Sequence, residues 1–407
     1  MKSWVEISGE RLAGNYCRLV EVAGADMSVL AVIKADAYGH GAKLCAPVLA
    51  RAGAEWLGVT DVTEGIAVRS RLDAEGISAE QQPRILVMSE ALDEDFAAML
   101  ENRLTPVVGS TAQLYALEQA AQSRGARSVE VHLEVDTGMA RQGVAPGADL
   151  EDLLAWFRDQ NRVRLDGVMT HFASAEVTGS HQTTTQRQRF EQAIQQVLSS
   201  GLSPSWIHAG NSSTVDNQHD TSGTGECPLC WLRRVAAAAT ARPMVRAGLA
   251  LYGYSQRLER ERDYTGSADP LVGLKLQPVM TWKARVTHIR EVEAGTQIGY
   301  NGTFTARTPM RLALLSVGYA DGLRRELSGG DTKPGGRVLF KSHAAVIVGR
   351  ISMNLTIVDV TGLSSIAVGD EAVLLGDGFT AEDHALIAST IPYDILCGVE
   401  AARRLVS

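Results

Sequence analysis

Val29-Leu30-Ala31-Val32-Ile33-Lys34-Ala35-Asp36-Ala37-Tyr38-Gly39-His40-Gly41 is an apolar run that ends in a lysine and continues into a polar turn with two glycines. Its first five residues predict a short strand buried on both faces, as in a parallel sheet. An ammonium group at the end of such a strand loses hydration, which lowers its pKa. A neutral amine can attack a carbonyl and form a Schiff base, so Lys34 is a candidate nucleophile. The alternative is a strand-terminal lysine that extends into solvent.

Seven more apolar runs of strand length follow, separated by stretches of helical pattern such as the one opened by Ser110, whose spacing to Gln113 is that of a capping box. The eight predicted strands are 29–34, 56–59, 85–88, 105–108, 129–135, 165–171, 206–208 and 243–246. This alternation predicts an α/β fold, a TIM-like (β/α)8 barrel over residues 9–255. A doubly wound open sheet is the competing topology, but no Gly-x-Gly-x-x-Gly turn follows the first strand.

The pattern changes after Tyr254. Residues 255–267 are charged and predict a linker, and β-branched alternation with frequent glycine turns then predicts a mostly β domain over residues 270–407. The opening strand, within residues 1–8, precedes the first helix of the barrel. We therefore expect this N-terminal strand to belong to the β domain.

Composition narrows the class of protein. The chain of 407 residues has a formal net charge of −8 and no block of lysine or arginine, so nucleic acid is not an expected partner. No apolar run is long enough to cross a bilayer, and the N-terminus lacks the apolar core of a signal peptide, which predicts a cytoplasmic protein. Five scattered cysteines do not predict a disulfide framework.

Small-residue turns follow the seventh and eighth predicted strands, where barrels most often hold phosphate. Backbone N–H groups are open to an anion where side chains are small, and hydroxyl groups add donors. A phosphate site beside a Schiff-base lysine indicates pyridoxal 5'-phosphate. The candidate residues for binding this cofactor, besides Lys34, are Tyr38, Asn211, Ser212, Gly248 and Leu249.

Arg246 ends the eighth strand and is a candidate partner for the pyridine nitrogen of that cofactor. An arginine stays protonated and leaves the ring nitrogen unprotonated, which weakens the ring as an electron sink. A weak sink suits removal and return of a proton at the α-carbon. His171, at the end of the sixth strand, is expected either to stack on the cofactor or to bond to Arg246; a histidine buried for packing alone is the alternative.

The fifth strand alternates apolar residues with polar ones and predicts that Glu134 points into the barrel. A buried carboxylate needs a cationic partner, for which Arg141 is the nearest candidate. The planar guanidinium of Arg141 also suits a substrate carboxylate.

With these residues in place, the chain resembles the alanine racemase family from Trp4 to Tyr393. Four segments in this order carry the resemblance: Val32-Ile33-Lys34-Ala35-Asp36-Ala37-Tyr38-Gly39-His40-Gly41, Asp136-Thr137-Gly138-Met139-Ala140-Arg141-Gln142-Gly143, Thr170-His171-Phe172-Ala173 and Ile298-Gly299-Tyr300. The resemblance implies a pyridoxal phosphate enzyme that interconverts L- and D-alanine and supplies D-alanine for cell-wall peptidoglycan.

The resemblance also implies a homodimer with shared active sites. Lys34 matches the base for one face of the α-carbon, and Tyr300 matches the opposite base, which the partner subunit contributes. Two bases are required because a proton lifted from one face must return from the other. By the same resemblance Met353 and Tyr319 contact the substrate, and the hydroxyl of Tyr393 reaches the phosphate.

Three positions depart from the family pattern. Glu134 stands where many members carry a carboxylated lysine that supports the arginine matched by Arg141, so we expect no carboxylated lysine here. Asn354 stands where an aspartate is commoner. Residues 217–240 form an apparent insertion with His219, Asp220, Cys227 and Cys230, for which we expect a surface loop followed by a helical stretch at Ala236–Ala239. One Cys-x-x-Cys pair is a weak zinc signal, and no metal is predicted.

Other functions stay open at this point. A racemase for serine or for many amino acids would share the recognition of carboxylate and α-amino groups, since discrimination of one methyl group is worth only about 1–3 kcal/mol. A non-catalytic pyridoxal phosphate carrier would need neither the β domain nor Tyr300. A decarboxylase would favour an acidic residue where Arg246 stands.

Overall fold

The computed structural model describes residues 2–159, 162–219 and 226–406. They form two compact units. The larger unit contains residues 12–37 and 45–276, and the smaller unit contains residues 2–11, 38–44 and 277–406.

Eight parallel strands of the larger unit close into a barrel, so the predicted fold class is confirmed. The first strand is buried at every position because side chains pack against it from inside the barrel and from the outer helices. The barrel closes where Val245 lies beside Val29. In chain order the strands are Ser28–Val32, Trp56–Val59, Arg84–Val87, Leu104–Val108, Val129–Glu134, Val163–Met169, Trp206–His208 and Arg242–Ala247.

Helices alternate with these strands. Ser110 caps one of them, as its hydroxyl accepts a hydrogen bond from the N–H of Gln113 at 3.3 Å. The side chain of Gln113 accepts from the N–H of Gly109 and not from that of Ser110. Of the two hydrogen bonds of the predicted capping box, only the one accepted by Ser110 therefore forms. The helices are Gly9–Ala23, Ala42–Arg51, Val62–Ala74, Asp95–Glu101, Thr111–Ser123, Ala148–Asp159, His181–Ser199, Ser212–Asp216 and Pro228–Ala238, with a 3-10 turn at Leu249–Tyr252 and a strand pair at Val177–Thr178 and Glu259–Arg260.

The smaller unit is built on an eight-stranded sheet. Its N-terminal strand Ser3–Ser8 lies between Met280–Val292, which is antiparallel to it, and Arg403–Val406, which is parallel. The other strands of the sheet are Met310–Leu315, Arg337–Phe340, His343–Ile347, Thr356–Asp359 and Glu371–Leu375; the unit also contains the pair Gln297–Ile298 and Phe304–Thr305, the helices Ala381–Ala388 and Pro392–Cys397, and 3-10 turns at Tyr300–Gly302, Tyr319–Asp321 and Arg325–Leu327.

The apparent insertion differs from its prediction in two respects. Its helix begins at Pro228, eight residues before the predicted helical stretch, because Cys227 caps it and proline suits the first helical position. Cys227 and Cys230 form a disulfide, whereas the sequence predicted no disulfide framework. Asp220 lies outside the described residues. Among the residues that are described, no group of three or more candidate ligands could hold a metal ion, and no helix is long and apolar enough to cross a membrane.

Candidate active site

Lys34 follows the first barrel strand, at the carboxyl-terminal end of the barrel. The backbone just before Lys34 is held by two hydrogen bonds, since the N–H of Ile33 donates to the carbonyl of Gly58 at 2.8 Å and the hydroxyl of Tyr252 donates to the carbonyl of Val32 at 2.9 Å. The lysine itself is half-buried. Lys34 therefore lies just beyond the carboxyl end of the first barrel strand, close to its predicted position.

The four residues after Lys34 form a left-handed turn. Ala35, Asp36, Ala37 and Tyr38 all have φ between 51° and 57°. This conformation costs about 1–2 kcal/mol for each L-residue, so consecutive non-glycine residues adopt it only where surrounding contacts impose it. Backbone strain of this kind is concentrated at functional sites.

Arg246 lies at the same end of the barrel and is only 4% exposed. Its guanidinium donates to the carbonyl of Thr170 at 2.7 Å, to Nδ1 of His171 at 3.3 Å and to Nδ1 of His208 at 3.2 Å. The expected contact between His171 and Arg246 is therefore present. Three acceptors hold the guanidinium in one orientation.

A second histidine pair continues from Arg246 into the barrel interior. Nε2 of His208 lies 2.8 Å from Nδ1 of His132. Because arginine can only donate, Nδ1 of His208 must accept, and Nε2 of His208 must then carry the proton that it donates to His132. The arginine thus sets the tautomers of both histidines.

Burial determines the charge of these groups. It lowers the pKa of His171 to about 3, with help from the positive charges of Arg246, Arg141 and Lys34. Burial likewise holds the pKa of His208 far below its ordinary value. Burial lowers the pKa of Arg246 to about 10, opposed by Glu134. At neutral pH the guanidinium is therefore charged and its imidazole neighbours are neutral.

The turns after the seventh and eighth strands are joined through Ser212. Its hydroxyl oxygen accepts hydrogen bonds from the N–H groups of Gly248 at 3.0 Å and Ala250 at 3.2 Å. The N–H of Gly248, which was expected to be open to a phosphate, donates to Ser212 in this structure, and its contact with a phosphate stays a prediction. Among the described residues no acceptor bonds to the N–H of Leu249. Asn211 is the cap of the short helix that Ser212 begins.

Glu134 points into the barrel, as predicted, and is 2% exposed. Its carboxylate accepts a very short hydrogen bond from Gln142, whose Nε2 also lies 2.8 Å from the carbonyl of Met88. Arg141 is exposed, and no ion pair joins it to Glu134 among the described residues, so the expected direct pairing is not observed. Burial raises the pKa of Glu134 to about 7, although Arg246 and Arg141 oppose the shift.

The loop that carries Arg141 is ordered by Asp136. The carboxylate of Asp136 accepts from the N–H groups of Gly138, Met139 and Ala140 at 2.8–3.2 Å. Burial opposes ionisation of Asp136, but these three donors outweigh it and the pKa lies below its ordinary value. The guanidinium of Arg141 is thereby presented from a fixed backbone.

The smaller unit presents Tyr300, Tyr319 and Met353 on its surface, where they are 64%, 44% and 56% exposed. Two of their loops are in contact, since the N–H of Tyr319 donates to the carbonyl of Ser352 and that of Ala320 to the carbonyl of Met353. Only glycine fits at position 318, because a Cβ there would lie 2.2 Å from the Ser352 carbonyl oxygen.

Tyr38 and Tyr393 also meet within the smaller unit, with ring centroids 5.8 Å apart. Tyr38 is buried, and burial raises the pKa of its phenol well above the ordinary value. The phenol of Tyr38 is therefore neutral at neutral pH.

Three residues of the site were not predicted from the sequence: His132, His208 and Gln142. A signal was available for the first of these, because His132 alternates with Glu134 and so faces the barrel interior like it. His208 ends the seventh strand, where barrel sites are built. For Gln142 no pattern in the sequence indicated the contact with Glu134.

The fold and this site define a two-domain barrel enzyme with a lysine and a buried arginine at the carboxyl ends of its strands. The alanine racemase N-terminal domain family matches residues 7–224, and the alanine racemase C-terminal domain family matches residues 279–406. An alanine racemase of Syntrophobacter fumaroxidans is 35% identical over 401 residues, which are 98% of this chain and 95% of that protein.

Solved structures agree with these matches. The alanine racemase of Streptomyces coelicolor A3(2) superposes with a TM-score of 0.84 at 30% identity, covering 100% of this chain and 98% of that one. That of Bartonella henselae, described with covalently bound pyridoxal phosphate, shares the fold with a TM-score of 0.77 at 24% identity, covering 100% of this chain and 100% of that one. The chain belongs to the alanine racemase family and is an amino-acid racemase, an isomerase.

Proposed function

We propose that this racemase binds pyridoxal phosphate at the carboxyl end of its barrel and interconverts L-alanine and D-alanine. The observation that carries the proposal is the arrangement around Arg246: a buried cation held by His171, His208 and Thr170, at the end of the barrel where Lys34 also lies. The cofactor, when bound, supplies an electron sink that acidifies the α-proton of the substrate.

The residues fit that cofactor. Lys34 would hold it through the ε-amino group, and Arg246 would donate to the pyridine nitrogen. The backbone of Leu249, with Ser212 and Asn211 beside it, is a donor set for the phosphate, to which we assign Tyr38, Gly248 and Tyr393 as well. His171 is placed to fix the Arg246 side chain rather than to titrate, because its pKa is so low.

Racemisation requires proton transfer on two faces. We assign one face to Lys34 and the other to the partner subunit's Tyr300. Arg141 would bind the substrate carboxylate, and Met353 and Tyr319 would border the entrance. These three side chains stand on loops whose backbones are fixed by hydrogen bonds or close glycine contacts.

A homodimer with shared active sites follows from this assignment. Its support in this chain is the surface of the smaller unit, where Tyr300, Tyr319, Met353 and Leu355 are large apolar side chains at least 40% exposed. Exposed apolar clusters of this kind mark association surfaces. Sedimentation of the enzyme should give a dimer, and a monomer with full activity would contradict the assignment.

The biological role we propose is supply of D-alanine for cell-wall peptidoglycan in the cytoplasm. The same carboxylate and amine contacts would serve serine or other small amino acids, so substrate preference is the point to test. Chiral analysis of a panel of L-amino acids, incubated with enzyme and pyridoxal phosphate, should show alanine converted fastest. A faster conversion of serine would establish a serine racemase instead. Conversion of no amino acid would favour a non-catalytic carrier of pyridoxal phosphate.

We propose that the protein contains neither a carboxylated lysine nor a bound metal ion. Glu134 supplies a carboxylate directly at the position concerned, held by Gln142. Intact mass spectrometry should therefore show no addition of carbon dioxide. Metal analysis of the purified protein should find no stoichiometric zinc, and the Cys227–Cys230 pairing is consistent with that expectation.

A further inference from the structure

Glu64 connects the Lys34 turn to the next loop of the barrel. It stands in the first turn of the helix Val62–Ala74, and its two carboxylate oxygens accept from different loops. Oε1 lies 2.7 Å from the N–H of Ala35, and Oε2 lies 3.0 Å from the N–H of Thr60. One half-buried carboxylate thus bridges the residue after Lys34 and the residue after the second barrel strand.

The N–H of Ala35 is the first donor of the left-handed turn. Ala35 has φ 51° and ψ 52°, and the next three residues also have positive φ, in the left-handed region. Because this conformation is unfavourable for L-residues, some contact outside the turn must hold its start. A charged acceptor is the strongest kind of backbone partner available.

The helix itself does not require Glu64 for its cap. Asp61 is its cap residue and accepts from the N–H groups of Thr63 and Glu64 at 2.7 and 3.3 Å. The carboxylate of Glu64 reaches back past this cap to Thr60 and across to Ala35. Its hydrogen bonds therefore hold the Lys34 turn and Thr60 and are not part of the Asp61 cap.

We propose that Glu64 is a positioning residue, which clamps the N–H of Ala35 and so orients the ε-amine of Lys34 toward the aldehyde of pyridoxal phosphate. The inference rests on the proposed function for the role of Lys34, but the clamp itself is a property of this chain. It predicts that loss of the carboxylate loosens the turn and weakens cofactor binding, while the fold stays intact.

The test compares Glu64→Ala, Glu64→Gln and the control Asp61→Ala, which removes a cap from the same helix. Hydrogen–deuterium exchange of the Ala35 amide should accelerate by roughly tenfold in Glu64→Ala, as expected for loss of a bond to a charged acceptor. The dissociation constant for pyridoxal phosphate should rise by a similar factor. Glu64→Gln keeps one acceptor and should lie between wild type and Glu64→Ala.

Asp61→Ala should lower the melting temperature but leave the Ala35 amide protected and the cofactor affinity unchanged. The inference is overturned if Glu64→Ala protects Ala35 as wild type does, or if Asp61→Ala weakens cofactor binding as much as Glu64→Ala. If Glu64→Ala does not fold, hydrogen–deuterium exchange of the Ala35 amide in Glu64→Gln is the deciding measurement, and protection equal to that of wild type overturns the inference. Borohydride fixation and peptide mapping of wild type test separately whether Lys34 carries the cofactor, so failure of the proposed function is distinguishable.

Discussion

The barrel end and the surface loops of the smaller unit hold their functional side chains in opposite ways. In the barrel, Arg246 is buried and fixed by side-chain and backbone acceptors, and burial sets the charge of its neighbours. In the smaller unit, Tyr300 and Met353 are mostly exposed. Under the proposed assignment, the difference teaches that one half of the chemistry is organised within the chain, whereas the other half would be presented to a partner subunit.

The largest effect is expected for Lys34→Ala. Without the ε-amine the enzyme has no covalent attachment for the cofactor and no base on one face, so racemisation should fall by about 10³-fold or more. Chiral assay and the visible absorption of the bound cofactor measure the two losses. Persistence of the borohydride-sensitive absorption in Lys34→Ala would show that another residue carries the cofactor.

Tyr300→Phe tests the exposed half of the comparison. Exchange of the α-proton with deuterated solvent should fall by about 10²-fold or more for one antipode and far less for the other. Because the side chain is 64% exposed, the free energy of unfolding should change by less than about 0.5 kcal/mol. Equal exchange from both antipodes at the wild-type rate would remove Tyr300 from the mechanism.

Glu134→Gln tests how burial acts in the barrel. The folded-state pKa of about 7 exceeds the ordinary 4.5, so between these values folded Glu134 keeps a proton that the unfolded chain has lost. The free energy of unfolding of wild type should therefore fall by about 3 kcal/mol as pH rises through this window and then level off. Urea denaturation of wild type and variant across that range measures it, and parallel curves would contradict the shift.

Gly167→Ala should have the smallest effect of the four. A Cβ at position 167 would lie 2.6 Å from the ring of His132, so the ring must move and with it the contact to His208. Overpacking of this kind costs about 2 kcal/mol. Gly14→Ala is the control, since nothing lies within 4 Å of its added Cβ. Thermal melting should separate the two variants; equal melting temperatures would mean that the barrel interior accommodates the methyl group.

The sequence predicted the barrel well because each strand is a compact apolar run, and burial on both faces leaves little choice of residue. It also placed Lys34 and Glu134 correctly and anticipated the contact between His171 and Arg246. These predictions depend on strand direction and alternation, which are local properties. The disulfide between Cys227 and Cys230 and the early start of its helix were missed, because both depend on how a short segment packs.

The differences between the predicted and the observed site concern which groups form hydrogen bonds with each other. Gly248 was expected to offer its N–H to a phosphate, but Ser212 from a neighbouring loop accepts it. Glu134 was expected to pair with Arg141, but Gln142 occupies its carboxylate. A donor bonds to the nearest well-aligned acceptor, and which acceptor is nearest is decided by how the loops fold in space.

The sequence by itself determined the order of strands, the residue types at their ends and membership of the racemase family, since these follow from periodicity and from motifs along the chain. Only the tertiary structure decided which groups meet. It placed Glu64 on Ala35, set the tautomers of His132 and His208 through Arg246, and imposed a left-handed turn that no local preference favours. The physical reason is that burial and hydrogen bonding act through space, between residues that the chain keeps far apart.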